Sequence, residues 1–283
     1  MEKGLEFEYI PDLKNALLVI GFEGWGNALA LSTGMVEYLI RKLDAKPFGK
    51  LDPDLFYTYD NNRPVIEVQA GVLKRLEPPG GHFYTASKDL VGRDIILIKA
   101  VEPNLNWSLF INSILSLCHK TQVKTIVTLG SMYDNILHTE TVISALASNE
   151  KILETLKKEK IMLTNYEGHG AIHSSFLSQS SEQGFEYISL WCHCPYYLQG
   201  TTHFGLLCRL GSFLSSWGGF ELNTDELAVT WKDLSNQIQA AIDNNQELQS
   251  IVANIRKDKA KGTWGQVGKQ GKVVRLEDFL KPK

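Results

Sequence analysis

Four stretches of the chain combine residue types that can do chemistry, and each also admits a plainer structural use. Gly21-Phe22-Glu23-Gly24-Trp25-Gly26-Asn27 places glycines where a tight turn or an anion-holding loop needs them. It lacks the lysine of a phosphate-binding loop and the Gly-x-Gly-x-x-Gly spacing of a dinucleotide site. Glu23 would repel a phosphate, so a turn presenting Trp25 to a partner is the expected use. Ser131, Asp134 and His138 offer a nucleophile, an orienting acid and a base. The Gly-x-Ser-x-Gly elbow that exposes such a serine is missing. Tyr166-Glu167-Gly168-His169 and His173 set two histidines one helical turn apart, with Glu167 as a third metal ligand. The zinc-protease pattern His-Glu-x-x-His is not matched, because Gly170 follows His169. In Cys192-His193-Cys194-Pro195-Tyr196-Tyr197 a strand would turn both thiols one way and His193 the other. That spacing is not Cys-x-x-Cys, and buried cysteine behaves as a small hydrophobe. Tyr196 and Tyr197, beyond the strand end, are expected to line a binding surface.

These groups need elements to hold them. Residues 16–22 (ALLVIGF), 94–99 (DIILIK), 125–130 (TIVTLG) and 185–191 (FEYISLW) read as strands buried on both faces. Helical stripes follow at 28–43, 103–119 and 203–217. Between 55 and 75 the pattern shortens to strands at 56–59 and 65–68, with turns at Asn61-Asn62 and Ala70-Gly71. Repeated strand–helix units with this excursion predict a three-layer α/β/α fold around a mixed, mostly parallel sheet. Residues 1–219 form that core, and 220–283 add a helical hairpin and a loose tail with four glycines over 262–271. Thr224, Asp225 and Glu226 are the expected helix start.

The 283 residues suffice for such a core plus a smaller module, and 43% apolar with 22% charged residues is ordinary globular composition. A net charge of -3 argues against nucleic-acid and anionic-membrane partners. No run is long and apolar enough to cross a bilayer, and the acidic start Met1-Glu2-Lys3 does not fit a signal peptide. Four cysteines in a chain this size suit a reducing compartment, so a cytoplasmic location is expected.

Taken together the motifs resemble the PAC2 family, the proteasome-assembly-chaperone-2-like proteins. The resemblance runs through Gly21-Phe22-x-Gly24-Trp25, Arg63-Pro64, Phe83-Tyr84, Gly92-Arg93-Asp94, and Glu102-Pro103 ahead of Trp107. It continues through Thr128-Leu129-Gly130, His138-Thr139, Tyr166-Glu167-Gly168, and Trp191 through Pro195-x-Tyr197. It implies a phosphorylase/hydrolase-like α/β/α core, a carboxyl-terminal helical part and self-association as a dimer or trimer. ATP-grasp, a label often attached to the family, requires a three-part nucleotide and metal site whose basic and acidic pieces the sequence does not show; no cofactor is expected. The family's Asn-Asp-Ala becomes Gly26-Asn27-Ala28, its His-Thr-Arg-Pro becomes His138-Thr139-Glu140-Thr141, and its Pro-His-Tyr becomes Pro195-Tyr196-Tyr197. Each departure removes or inverts a group an enzyme could use. The proteasome-docking hydrophobic-Tyr-x terminus is replaced by Phe279-Leu280-Lys281-Pro282-Lys283.

The expectation is therefore a protein-binding or assembly-chaperone-like protein rather than an enzyme. Its contact residues would be Phe22, Trp25, Asn27, His138, Tyr166, Glu167, Tyr196 and Tyr197. The alternative is an enzyme or sensor for a small nucleoside-like or amide metabolite, working through Glu23, Ser131, His138 and Glu167 at the strand ends. A third reading is metal binding through His169, His173, Cys192 and Cys194.

Overall fold

The structure, a computed structural model, describes residues 3–260. The glycine-bearing stretch 262–271 and the chain's last residues lie outside the described part.

Nine strands form one sheet in the order β1-β3-β6-β7-β2-β8-β11-β9-β10. They are β1 (Leu5–Phe7), β2 (Ala16–Glu23), β3 (Lys46–Leu51), β6 (Gly81–Ala86), β7 (Ile95–Val101), β8 (Val123–Asp134), β9 (Ile143–Ala147), β10 (Met162–Leu163) and β11 (Glu186–Pro195). β4 (Val65–Gln69) and β5 (Val72–Glu77) make a separate two-stranded ribbon. At the centre β7, β2, β8 and β11 run parallel and in register, from Leu17 beside Ile95 to Pro195 beside Asp134. Their interiors are apolar on both faces because helices cover both.

One face of β2 sends Leu17 and Val19 into a core shared with α1 (Leu31–Lys42) and α7 (Phe204–Gly218). Leu227, Ile238 and Ile242 of α8 (Asp225–Asp243), and Leu248, Val252 and Ile255 of α9 (Gln246–Ala260), join the same apolar cluster. The other face sends Leu18, Ile20 and Phe22 against α4 (Trp107–Lys120) and α6 (Ile172–Glu182). The remaining helices are short: α2 (Pro53–Phe56), α3 (Lys88–Val91) and α5 (Glu150–Lys158). Each fully buried aliphatic side chain contributes about 1.5–3 kcal/mol, so the two clusters anchor everything at the strand ends.

The expectation of a mostly parallel sheet is corrected. β1–β3, β3–β6, β6–β7 and β11–β9 pair antiparallel, against four parallel pairings. The cause is chain length. Only eight residues separate β6 from β7, and eight separate β8 from β9. A parallel return needs a crossover of about a dozen or more, so the incoming strand reverses. A strand at 56–59 is also corrected. Asp52 accepts a hydrogen bond from the Asp54 amide (3.1 Å), and Pro53 occupies the first helical position. The chain therefore makes the short helix α2 there. Thr224 stands at the head of α8, but its hydroxyl turns to Ser212 of α7 (3.2 Å) instead of capping α8.

Candidate functional site

The strand-end turn after β2 is built around close approaches. A Cβ on Gly21 would sit 2.6 Å from the Ser32 carbonyl oxygen, so β2 and α1 meet only with glycine there. Ser32 Oγ accepts from the Phe22 amide (3.0 Å) and donates to the Leu129 carbonyl (2.5 Å), joining β2 to β8. Asn27 Oδ1 accepts from the Ser32 and Thr33 amides (3.0 and 3.3 Å) and its Nδ2 donates to Thr33 Oγ1 (3.0 Å). Asn27 thus starts α1, and Phe22 is sunk among Phe110 and Phe176. Of the expected contact residues in this turn, Trp25 faces solvent, with 68% of its surface exposed.

Beneath Trp25 lies a second indole. Trp191 is 9% exposed, and the two rings meet edge to face at 6.4 Å. Trp191 Nε1 donates to Ser189 Oγ (2.9 Å); a side chain at Gly130 would collide with its ring, and one at Gly26 would press against it at 3.1 Å. His173, from the first turn of α6, packs on it at 4.8 Å. His173 Nε2 donates to the Leu129 carbonyl (3.1 Å), leaving Nδ1 without a hydrogen-bond partner among the described residues. Burial pulls this imidazole down to about 4, so it is neutral. Glu102 receives the Ile172 amide at the head of α6 (2.9 Å), and its own amide donates to the Glu23 carbonyl (2.7 Å).

Ser131, Asp134 and His138 do not assemble. Ser131 is fully buried and its hydroxyl donates to the Ala28 carbonyl (2.8 Å). The turn Ala28–Ala30 that supplies this carbonyl plugs the strand ends, with Leu29 and Ala30 both at φ 53°. His138 lies in a sealed relay. Its amide donates to Tyr197 Oη (2.7 Å), and its Nδ1 lies 2.9 Å from the same oxygen, while Nε2 has no hydrogen-bond partner among the described residues. His203 Nε2 donates to the His138 carbonyl (3.1 Å) and Nδ1 accepts the Leu206 amide (3.1 Å). Trp231 of α8 stacks on the His203 ring at 3.9 Å. Burial lowers both histidines, His203 to about 4, and raises Tyr197. Tyr197 therefore belongs to the core, while Tyr196 is half-buried.

Asp134 instead pairs with a residue that the sequence reading left out of the site. Its Oδ2 lies 2.7 Å from His193 Nδ1, and His193 Nε2 lies 2.8 Å from Ser144 Oγ. Burial pushes the Asp134 carboxyl upward, but the hydrogen bonds from His193 and the Asn135 amide win and hold it below the usual range. The alternation that turns Cys192 and Cys194 into the opposite core was the signal for His193. This serine–histidine–aspartate row is not an open active site. Ser144 is 2% exposed and lies near the start of β9, between Trp191 of β11 and Met162 of β10. A strand flanked on both edges gives an attacking hydroxyl no approach and no pair of free amides for an oxyanion.

The metal candidates do not converge either. Cys192 and Cys194 are buried thiols, Cys192 raised by burial to about 12 and Cys194 raised well above its usual value. His169 is exposed while His173 is buried. Among the described residues no group of three or more His, Cys, Asp or Glu side chains could hold a metal ion. Glu23, Tyr166 and Glu167 are exposed, Tyr166 on the loop feeding α6, where its hydroxyl donates to the His169 carbonyl (3.1 Å). Concavities of about 380 and 520 Å³ open at the other end of the sheet, beside Tyr9 and Asp94 and beside Arg93 and Lys124.

The altered loop after His138 has its own structural use. Glu140 accepts the Leu137 amide (2.8 Å) and pairs with Lys259, fastening α9 to the loop.

Comparison with known proteins agrees with this architecture. The chain matches the PAC2 family over residues 18–242 and belongs to it. It is similar to a proteasome-assembly-chaperone homologue from Mycobacterium tuberculosis, at 26% identity over 83% of this chain and 99% of that one, with a TM-score of 0.76. A PAC2 family protein from Streptomyces avermitilis gives 24% identity over 85% and 99% of the two chains, with a TM-score of 0.73. A second M. tuberculosis protein, of unknown function, gives 19% identity over 93% and 90%, with a TM-score of 0.81. No curated protein matches.

Proposed function

We propose that this PAC2-family protein works by binding protein, in the manner of an assembly chaperone, with Trp25 as its central contact. One observation carries the reading: a tryptophan stands 68% exposed at the strand ends while Ser131, His138, Asp134 and His193 are buried and hydrogen-bonded. An exposed indole backed by a rigid second indole is a ready anchor for an interface, because such rings supply large contact area at little entropic cost. Similarity to a protein described as a proteasome-assembly-chaperone homologue supports the same reading. The phosphorylase/hydrolase-like scaffold then serves as a frame for surfaces. Self-association as a dimer or trimer is part of this reading. So is a cytoplasmic location, supported by four free thiols and by the lack, among the described residues, of a helix able to cross a membrane.

The test is site-specific photo-crosslinking in cells, with the reactive residue at position 25 and, as a control, at the exposed Glu182. A discrete protein adduct from position 25 alone is the expected result. No adduct, or the same adducts from both positions, overturns the assignment.

A further inference from the structure

The chain around Trp25 has one electrostatic character. β2, β7, β8 and β11 end side by side, and the segments at and beyond their ends are 23–30, 102–106, 135–142 and 196–203. They hold Glu23, Glu102 and Glu140 but neither lysine nor arginine. The loop feeding α6, 164–171, adds Glu167 and again neither. The whole chain carries 29 Lys and Arg against 32 Asp and Glu, so the lack is local and not compositional. At one flank Lys259 of α9 neutralises Glu140. At the other, Asp60 and Arg63 offset each other on the loop that Asn62 ties to Asn104. Glu23, Glu102 and Glu167 form no ion pair with a described residue.

Within this face Glu102 is held in place. Its Oε1 accepts the Ile172 amide at the head of α6 (2.9 Å), while Oε2 has no donor among the described residues. A Cβ on Gly24 would lie 3.2 Å from the Glu102 Cβ and 3.4 Å from Oε2, and Gly24 sits at φ 140°, where glycine is favoured. The turn therefore lies against Glu102, with Glu23 on one side of Gly24 in sequence and the exposed Trp25 on the other. His173, one residue past Ile172, keeps an Nδ1 lone pair that no described donor meets. Its Cε1 lies 3.5 Å from the Cβ position of Gly26, the residue after Trp25. Acceptors thus gather around an exposed π-face, with no cation to match them.

We propose that the Trp25 turn takes an arginine-bearing segment of its protein partner. The proposal rests on the protein-binding reading and adds the chemistry of what is bound there. An indole face is the best side-chain platform for a cation. A guanidinium is planar, so it stacks on the indole while its edge N–H groups reach a carboxylate in pairs. An ammonium is a point charge without that geometry. An acidic segment would meet like charge at Glu23, Glu102 and Glu167, and an apolar one would bury those carboxylates unpaired. Arginine answers both the ring and the carboxylates.

Fluorescence anisotropy with the full chain tests this, using a labelled Gly/Ser-spaced arginine peptide and its lysine counterpart. Wild type should bind the arginine peptide, and the lysine peptide more weakly. Trp25→Ala and the double variant Glu23→Gln/Glu102→Gln should each weaken arginine-peptide binding about tenfold or more. Glutamine at 102 still accepts the Ile172 amide, so the fold should be kept, as circular dichroism will check. Glu154→Gln/Glu182→Gln removes the same charge from exposed positions on α5 and α6 and should change affinity less than about twofold. No binding to wild type, equal affinity for the two peptides, or equal losses in the two double variants overturns the proposal. The two readings fail apart. A position-25 adduct in cells that survives Glu23→Gln/Glu102→Gln overturns the arginine partner and keeps Trp25 as a protein contact. Carboxylate-dependent peptide binding without an adduct at position 25 supports the cation site and removes the assembly reading.

Discussion

At the strand ends, residues that look like chemistry are buried and hydrogen-bonded; on the β4–β5 ribbon, residues that look like core stand in water. Ser131, His138, His173, His193 and His203 all lie below 9% exposure, whereas Ile66, Leu73 and Leu76 exceed 55%. A buried polar group stabilises only when paired, and an exposed aliphatic face is costly only until it is covered. The difference teaches that this chain uses its polar motifs to lock a fold and leaves part of its apolar surface uncovered. The two tryptophans repeat the contrast at close range, one sealing the sheet and one facing out.

The largest expected effect sharpens that pair. Trp191→Ala should cost about 3–5 kcal/mol of unfolding free energy, as other buried aromatic truncations do. Trp25→Ala should stay within about 0.5 kcal/mol, as exposed positions do. Urea unfolding reads both, and equal losses would erase the distinction between the indoles.

The buried histidines make the next effect a function of pH. His173 and His203 titrate near 4 when folded and near 6.5 when unfolded, so between these values the unfolded chain binds more protons. Their contribution is fully present above pH 6.5 and is lost as pH falls towards 4. At pH 5 each should have cost roughly 2 kcal/mol relative to pH 7. His203→Gln should flatten the slope, and an unchanged unfolding free energy at pH 5 and 7 would contradict the sealed relay. Within that relay, Tyr197→Phe strands the His138 amide and should cost about 1–3 kcal/mol. Mildest of all, Glu140→Gln loosens the half-exposed pair with Lys259 and should cost about 0.5–1 kcal/mol. It should also raise amide exchange in α9 before any other helix.

Much of the fold was legible. The four central strands are continuous apolar runs, and such runs have few uses except a sheet covered on both faces. Their full length was not legible, because β8 continues through Ser131 to Asp134 and β11 through His193 to Pro195. Polar residues there read as loop until their partners across the sheet are known. The antiparallel half was missed because it follows from short connections and not from the composition of the strands. At the site, the opposite facing of Cys192 and His193 could be read from alternation. The pairing of His193 with Asp134 and Ser144 could not, since those residues lie 59 and 49 positions away. The reversed charge at Glu140 looked like a loss of function until Lys259 supplied its partner. The ribbon's apolar face depended on one bulge residue, Lys74, which no period-two pattern reveals.

The most direct test of the account is thermal unfolding of the full chain with and without ATP–magnesium, nucleosides and a panel of small metabolites. A ligand at about a hundred times its dissociation constant adds roughly 2.7 kcal/mol and moves the midpoint by several degrees. The account predicts flat midpoints throughout, because the strand ends are closed by the Ala28–Ala30 turn, to whose Ala28 carbonyl the buried Ser131 hydroxyl is bonded. A shift of several degrees with one ligand class, abolished by His138→Ala, would contradict it and make the strand ends a small-molecule site.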